Sequence, residues 1–147
     1  MDYFISFITN KYIFIPFCLW LGIQIFKVLW DYGKYKKFNL KRFLGAGGMP
    51  SSHSAVVCSL ATLIGKEYGL DSAIFGLSVI FALVVMYDAA GVRRAAGNQA
   101  RLLNKIIENP ELNVPTIQQG RLVEGLGHKP KEVFVGALIG IFVGVLL

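Results

Sequence analysis

The chain holds two histidines, His53 and His128, and each sits where polar sequence gives way to apolar sequence. His128 lies in Gly127-His128-Lys129-Pro130-Lys131-Glu132-Val133, four positions before Glu132 and just ahead of a long apolar segment. Four residues is about one helical turn, so a helix here puts both side chains on one face. A carboxylate beside an imidazole accepts the proton on one ring nitrogen, fixes the tautomer and leaves the other nitrogen free to attack an electrophile. His128 is therefore a candidate nucleophile oriented by Glu132.

His53 belongs to Gly47-Gly48-Met49-Pro50-Ser51-Ser52-His53-Ser54-Ala55. A glycine pair and a proline make a tight turn, serines supply caps and hydroxyls, and an apolar run follows, which is the pattern of a helix amino terminus. Such a terminus aims unpaired N–H groups and the positive end of the helix dipole outward, which suits a phosphate. The plainer alternative is an ordinary capped helix with a solvent-facing histidine. Between the two histidines, Asp88 is followed at five and six residues by Arg93 and Arg94, with Gly91 and Gly97 nearby. Arginine forks match phosphate oxygens bidentately. Alternatively the arginines are interface anchors for anionic headgroups, with Asp88 as their intramolecular partner.

These residues need elements to hold them, and composition says which. Of 147 residues, 54% are apolar, with a mean hydropathy of +0.55, too much for a soluble domain of this size to bury in one core. The fold expected is all-α, an integral membrane helical bundle in one domain. Four main spans are expected, Tyr12 to Trp30, Ser54 to about Gly69, Ser72 to Ala90 and Val133 to Leu147. The second and fourth are short: the second borrows from the serine-rich turn and from Lys66, whose stem can snorkel, and the fourth must start near His128. Met1 to Asn10 lacks a basic cluster and no small-residue cleavage site follows the first apolar run, so that run reads as a retained span rather than a leader. Cys18 and Cys58 lie inside apolar segments and suggest neither a disulfide nor a metal site.

Polar sequence falls in two stretches, Asp31 to Met49 and Gly91 to Lys131, which four spans place on one side with both histidines. The net charge is +6, and the same stretches hold Lys34, Lys37, Lys41, Arg42, Arg93, Arg94, Arg101, Arg121 and Lys131, so the positive-inside rule puts the site in the cytoplasm and both termini outside. A phosphate site recruits basic residues for its own reasons, so the same charges fit either account. No nucleic-acid partner is expected.

Together these blocks resemble the type-2 phosphatidic acid phosphatase superfamily, which includes the vanadium-dependent haloperoxidases, and in particular its divergent short branch. That superfamily shows a lysine with an arginine seven residues on, then Pro-Ser-Gly-His, then Ser-Arg, five residues, His, three residues, Asp. Pro50-Ser51-Ser52-His53 matches the second block, and His128 with Glu132, running on through Val133 to Gly136 and Gly140, matches the end of the third. Three departures stand out. Ser52 replaces a glycine where the phosphate should approach, Glu132 replaces an aspartate, and 33 residues separate Arg94 from His128 where the family has five. The stretch 95–127 thus reads as an insertion between two halves of the third block. It opens with Ala95, Gln99, Leu102, Leu103, Ile106 and Ile107 at helical spacing, ended by Asn109-Pro110, an amphipathic interfacial helix that serves as a lid over the site, a subunit contact or a plain connector. For the first block, Lys27 with Lys34 keeps the seven-residue interval, as does Lys34 with Lys41 followed by Arg42. Lys27 is taken as the ligand, with Lys34 or Arg42 next; snorkelling is the alternative for Lys27.

The resemblance implies a lipid-phosphate phosphatase acting on a phosphatidate-like or polyprenyl phosphate or diphosphate through a phosphohistidine on His128. Lys27, Ser51, Ser52, Arg93 and Arg94 would hold the phosphoryl group, and His53 would protonate the leaving oxygen. No metal or other cofactor is implied, and vanadate is expected to act as an inhibitor that mimics five-coordinate phosphorus. Six helices are usual in the family, so a homodimer that completes the bundle is expected. Two alternatives remain: a protein that binds or transports anionic lipids without hydrolysing them, which would tolerate loss of His128, and a haloperoxidase using vanadate as cofactor.

Overall fold

A computed structural model of the chain describes residues 2–36, 43, 47–109 and 121–147. Among them the regular elements are helices: α1 Asp2–Ile8, α2 Lys11–Tyr35, α3 Ser52–Tyr68, α4 Ala73–Ala90, α5 Val92–Ile107 and α6 Pro130–Leu146. Side-chain caps open three of them. Asn10 Oδ1 accepts the Tyr12 N–H at 3.0 Å, Ser51 Oγ the Ser54 N–H at 3.4 Å, and Ser72 Oγ the Phe75 N–H at 3.3 Å. Pro130 opens α6 at a position whose N–H would have no helical partner. Gly69 and Gly91 follow the last residues of α3 and α4.

α3 lies at the centre, packed most extensively on α6 and then on α4 and α2. Glycines set the α3–α6 seam. A Cβ at Gly136 would lie 2.3 Å from the Ser51 carbonyl oxygen, one at Gly140 2.3 Å from that of Ala55, and one at Gly144 2.6 Å from Thr62 Cβ. Spaced four apart, these glycines face one way along α6 and let the two backbones approach closely, which is how helices gain dispersion contact without a hydrophobic drive. At the far end Lys66 Nζ donates to the Val145 carbonyl at 2.8 Å, pinning the last turn of α6 instead of reaching away from the bundle.

α3 and α6 run parallel, both starting at the end where α2 and α4 finish. Gly136, not the start of α6, is level with Ser51, so the first turns of α6 overhang the α3 amino terminus, and the Ser51 N–H donates to the Glu132 carbonyl at 3.0 Å. Two helix amino termini therefore converge on one end of the bundle.

Two stretches among the described residues are long and apolar enough to cross a membrane, Lys11–Tyr35 and Ala73–Ile107, the apolar part of the latter being α4. α3 and α6 hold 17 residues each. At about 1.5 Å per residue they rise roughly 25 Å, short of a hydrocarbon core of about 30 Å.

One expectation is corrected. His128 and Glu132 do not share a helix face, because Pro130 starts α6 and leaves His128 ahead of the Lys129 cap. In α5 Leu102, Leu103 and Ile106 are exposed, while Gly97, Ala100 and Asn104 are buried. The buried stripe faces the returning segment 121–127, where a Cβ at Gly97 would lie 2.6 Å from the Glu124 carbonyl oxygen. Asn104 clamps that segment, Nδ2 donating to the Leu122 carbonyl at 2.9 Å and Oδ1 accepting the Leu122 N–H at 2.9 Å. Pro110, expected to end the helix, lies outside the described residues; α5 closes on Glu108.

Candidate active site

His128 is held from three directions. Its backbone N–H donates to the Ala89 carbonyl at 3.0 Å, at the end of α4. On its other side Gly127 has its Cα against Arg94, close enough that a Cβ there would lie 2.2 Å from the Arg94 Cα. Glu132 reaches back over the α6 terminus, its Oε2 accepting the Lys129 N–H at 3.1 Å and standing 3.3 Å from His128 Nδ1. One carboxylate oxygen thus caps the helix and orients the ring. Glutamate at the third helical position is the residue that capping geometry favours, which gives the extra methylene a structural use.

Only 2% of His128 is exposed. With Nδ1 on the carboxylate, Nε2 is the other ring nitrogen, and it is buried with no side-chain hydrogen-bond partner among the described residues. Burial pushes the imidazole below its ordinary value of 6.5, against the opposing pull of Glu132 and of the Gly48 backbone.

His53 occupies the first turn of α3, its ring centroid 6.0 Å from that of His128 and the planes 65° apart. Its Nδ1 is also buried with no hydrogen-bond partner among the described residues. Beside it Ser51 and Ser52 are buried, with Ser51 Oγ accepting from the Ser54 hydroxyl at 3.0 Å. Ser51 is committed to capping, while the N–H groups at the start of the helix precede the first intrahelical bond and point out of the terminus. The Ser52 side chain is buried in the bundle, at the position where the resembled superfamily has glycine.

Lys27 is 3% exposed and its ammonium is buried, so it does not snorkel to the surface of the chain. It lies within electrostatic reach of both imidazoles. One turn earlier Gln24 is equally buried, its Nε2 donating to the Phe43 carbonyl. Gln24 is a buried polar residue that the sequence reading missed; the signal was a second polar side chain three residues from Lys27 in an apolar helix.

The arginines divide. Arg93 Nε meets Asp88 Oδ2 at 2.5 Å, with both side chains partly in solvent, yet it remains within electrostatic reach of His53. Arg94 is exposed, and its backbone rather than its guanidinium makes the tight contact with the site. Lys34 is exposed over the Tyr35 ring at 5.2 Å, two turns beyond Lys27 and outside the cluster. Arg42 lies outside the described residues.

Although 33 residues separate Arg94 from His128, Gly127 rests on the Arg94 backbone, so the two ends of the stretch 95–127 meet. His53, His128, Glu132 and Lys27 form one cluster at the shared end of four helices, with Lys27 and His128 buried and His53 and Glu132 half-buried.

Two imidazoles, one of them buried, with a neighbouring carboxylate and cation stand at the end of an apolar helical bundle. Comparison with known proteins gives the family. The family described as the Divergent PAP2 family matches residues 8–143. The "Uncharacterized membrane protein YuiD" of Bacillus subtilis (strain 168) is 42% identical over 134 residues, covering 84% of this chain and 85% of the relative. The chain belongs to the Divergent PAP2 family. No solved structure matches it.

Proposed function

We propose that this protein is an integral membrane lipid-phosphate phosphatase that works through a phosphohistidine. The observation that carries the reading is the pair of imidazoles, 6.0 Å apart by centroid, each with a buried ring nitrogen that no described side chain engages. A pair of buried polar atoms costs stability unless a ligand completes them.

In the first step the Nε2 lone pair of His128 forms the N–P bond as the ester P–O bond breaks, and His53 gives its proton to the departing lipid oxygen. From a diphosphate the group that departs in this step is the lipid monophosphate. In the second step, His53 takes a proton from water, the new O–P bond forms and the N–P bond breaks, releasing inorganic phosphate from either substrate. Glu132 holds the tautomer throughout. Lys27, Arg93 and the N–H groups at the α3 terminus stabilise charge on the equatorial oxygens, with Arg94 free to add its fork from the rim. The chain needs no metal for this scheme, and vanadate acts as a competitive mimic. In the membrane α2, α3, α4 and α6 form four spans, the shorter two extended by their flanking turns. The exposed stripe of α5 lies at the cytoplasmic interface, and a second copy completes the bundle.

The Asp88–Arg93 ion pair favours a second reading, in which the site binds an anionic headgroup without hydrolysis. Phosphate release by purified protein in liposomes, on phosphatidate, lysophosphatidate and undecaprenyl mono- and diphosphate, separates the two. Hydrolysis that disappears in His128→Ala supports the enzyme; no release from any lipid, with headgroup binding intact in both proteins, supports the binder.

A further inference from the structure

An apolar groove of about 590 Å³ runs between α2, α3 and α4. Phe17 and Trp20 line it from α2, Val56 and Leu60 from α3 and Phe81 from α4, and His53 stands at its head. The α3 wall from His53 to Leu60 rises about 10 Å. Tyr12 carries the α2 wall toward the opposite end of the bundle, where its ring stands 6.0 Å from Tyr68. A second groove of about 580 Å³ lies between α2 and α6, lined among others by Gly22, Pro50 and Ile139. Volume and lining do not separate the two, since both are apolar and of a size to take a ligand. Their heads do: a site imidazole lines the first, and the walls of the second contain neither histidine.

Displacement at phosphorus places the attacking and leaving atoms on opposite sides. With His128 attacking and His53 protonating, the leaving oxygen lies on the His53 side, and the carbon chain bonded to that oxygen must continue away from His128. The groove that begins at His53 receives it. We infer that the apolar chain of the lipid phosphate lies along the α2–α3–α4 groove, with its ester oxygen at His53, and not along the α2–α6 groove. The direction of the argument rests on the phosphatase reading for the role of His53, but where the chain sits is measurable without turnover.

The test is photolabelling of the full-length protein in phosphatidylcholine liposomes with a phosphatidate analogue carrying a diazirine in its acyl chain, followed by peptide mapping. Val56, Leu60 and Phe81 are expected to take several-fold more label than Val135 and Ile139, and unlabelled phosphatidate should compete that excess away. Diazirine-bearing phosphatidylcholine, which has no phosphomonoester, should show no such preference. Leu60→Trp, which fills the groove, should reduce the excess, and Ile139→Trp should not. The same pattern in His128→Ala without phosphate release would sustain the seating while removing the hydrolytic reading. Label concentrated on Val135 and Ile139, or spread evenly over both grooves in a protein that does hydrolyse phosphatidate, would overturn the seating and leave the phosphatase standing.

Discussion

Where α2 begins and α3 ends, Lys11 Nζ meets Glu67 Oε2 at 2.7 Å with about half of each side chain in solvent, 49% and 51%. At the other end of the same helices Gln24, Lys27 and His128 are almost wholly buried, and His128 keeps a ring nitrogen that no described side chain engages. The first arrangement is what a surface does with charge: partners are at hand, water screens them, and little depends on the pair. The second costs desolvation, and polar groups held at that cost in an apolar bundle are what the proposed ligand site needs. Charge at one end of the bundle trims helix ends, while at the other it is held ready.

The largest effect expected is on the seam that creates the site end. Gly140→Leu puts a side chain where the Ala55 carbonyl already stands, a backbone atom that cannot rotate away. α6 should lose its register on α3, and the protein should aggregate or fail to elute as a single species in detergent. A folded, active Gly140→Leu protein would show that the seam does not set the site. Next, His53→Ala should slow phosphate release by about 10²–10⁴-fold, the usual contribution of a positioned acid and base, in assays on liposomes. An unchanged rate would reduce His53 to a capping-turn residue and make the two ends of the bundle more alike.

How much of this was legible beforehand depends on which physics each element obeys. The cap at Ser51 was readable because capping is local chemistry. The meeting of the two histidines followed from counting spans, and their ring separation of 6.0 Å agrees with it. The buried face of α5 was not readable from its apolar stripe. In water apolar residues mark the inside, whereas beside lipid small residues can mark the contact and large apolar ones face outward. The glycines at 136, 140 and 144 carry that second signal, and so do Gly97 and Ala100. His128 was misplaced onto a helix because a four-residue interval to a carboxylate fits a helical turn as well as a capping glutamate that reaches back over the terminus.

Smaller effects probe the insertion and the far end. Asn104→Ala removes both bonds that hold Leu122, which at about 0.5–1.5 kcal/mol each should cost about 1–3 kcal/mol of stability. Thermal unfolding in detergent would measure it, and turnover should fall several-fold because the segment leading into Gly127 and His128 loosens. Full stability in Asn104→Ala would mean that the ends of the insertion meet without this clamp. Smallest of all, Lys11→Ala should leave phosphate release unchanged. A marked loss of turnover in Lys11→Ala would break the contrast between the ends.

The central claim is that His128 becomes covalently phosphorylated, and trapping the intermediate tests it directly. Full-length protein in liposomes would be mixed with lipid phosphate labelled with ³²P, quenched in alkali, where phosphohistidine survives, and mapped by mass spectrometry. The account predicts label on His128, lost in His128→Ala and discharged by acid. Phosphate release with no label on His128, or with turnover surviving in His128→Ala, would contradict it.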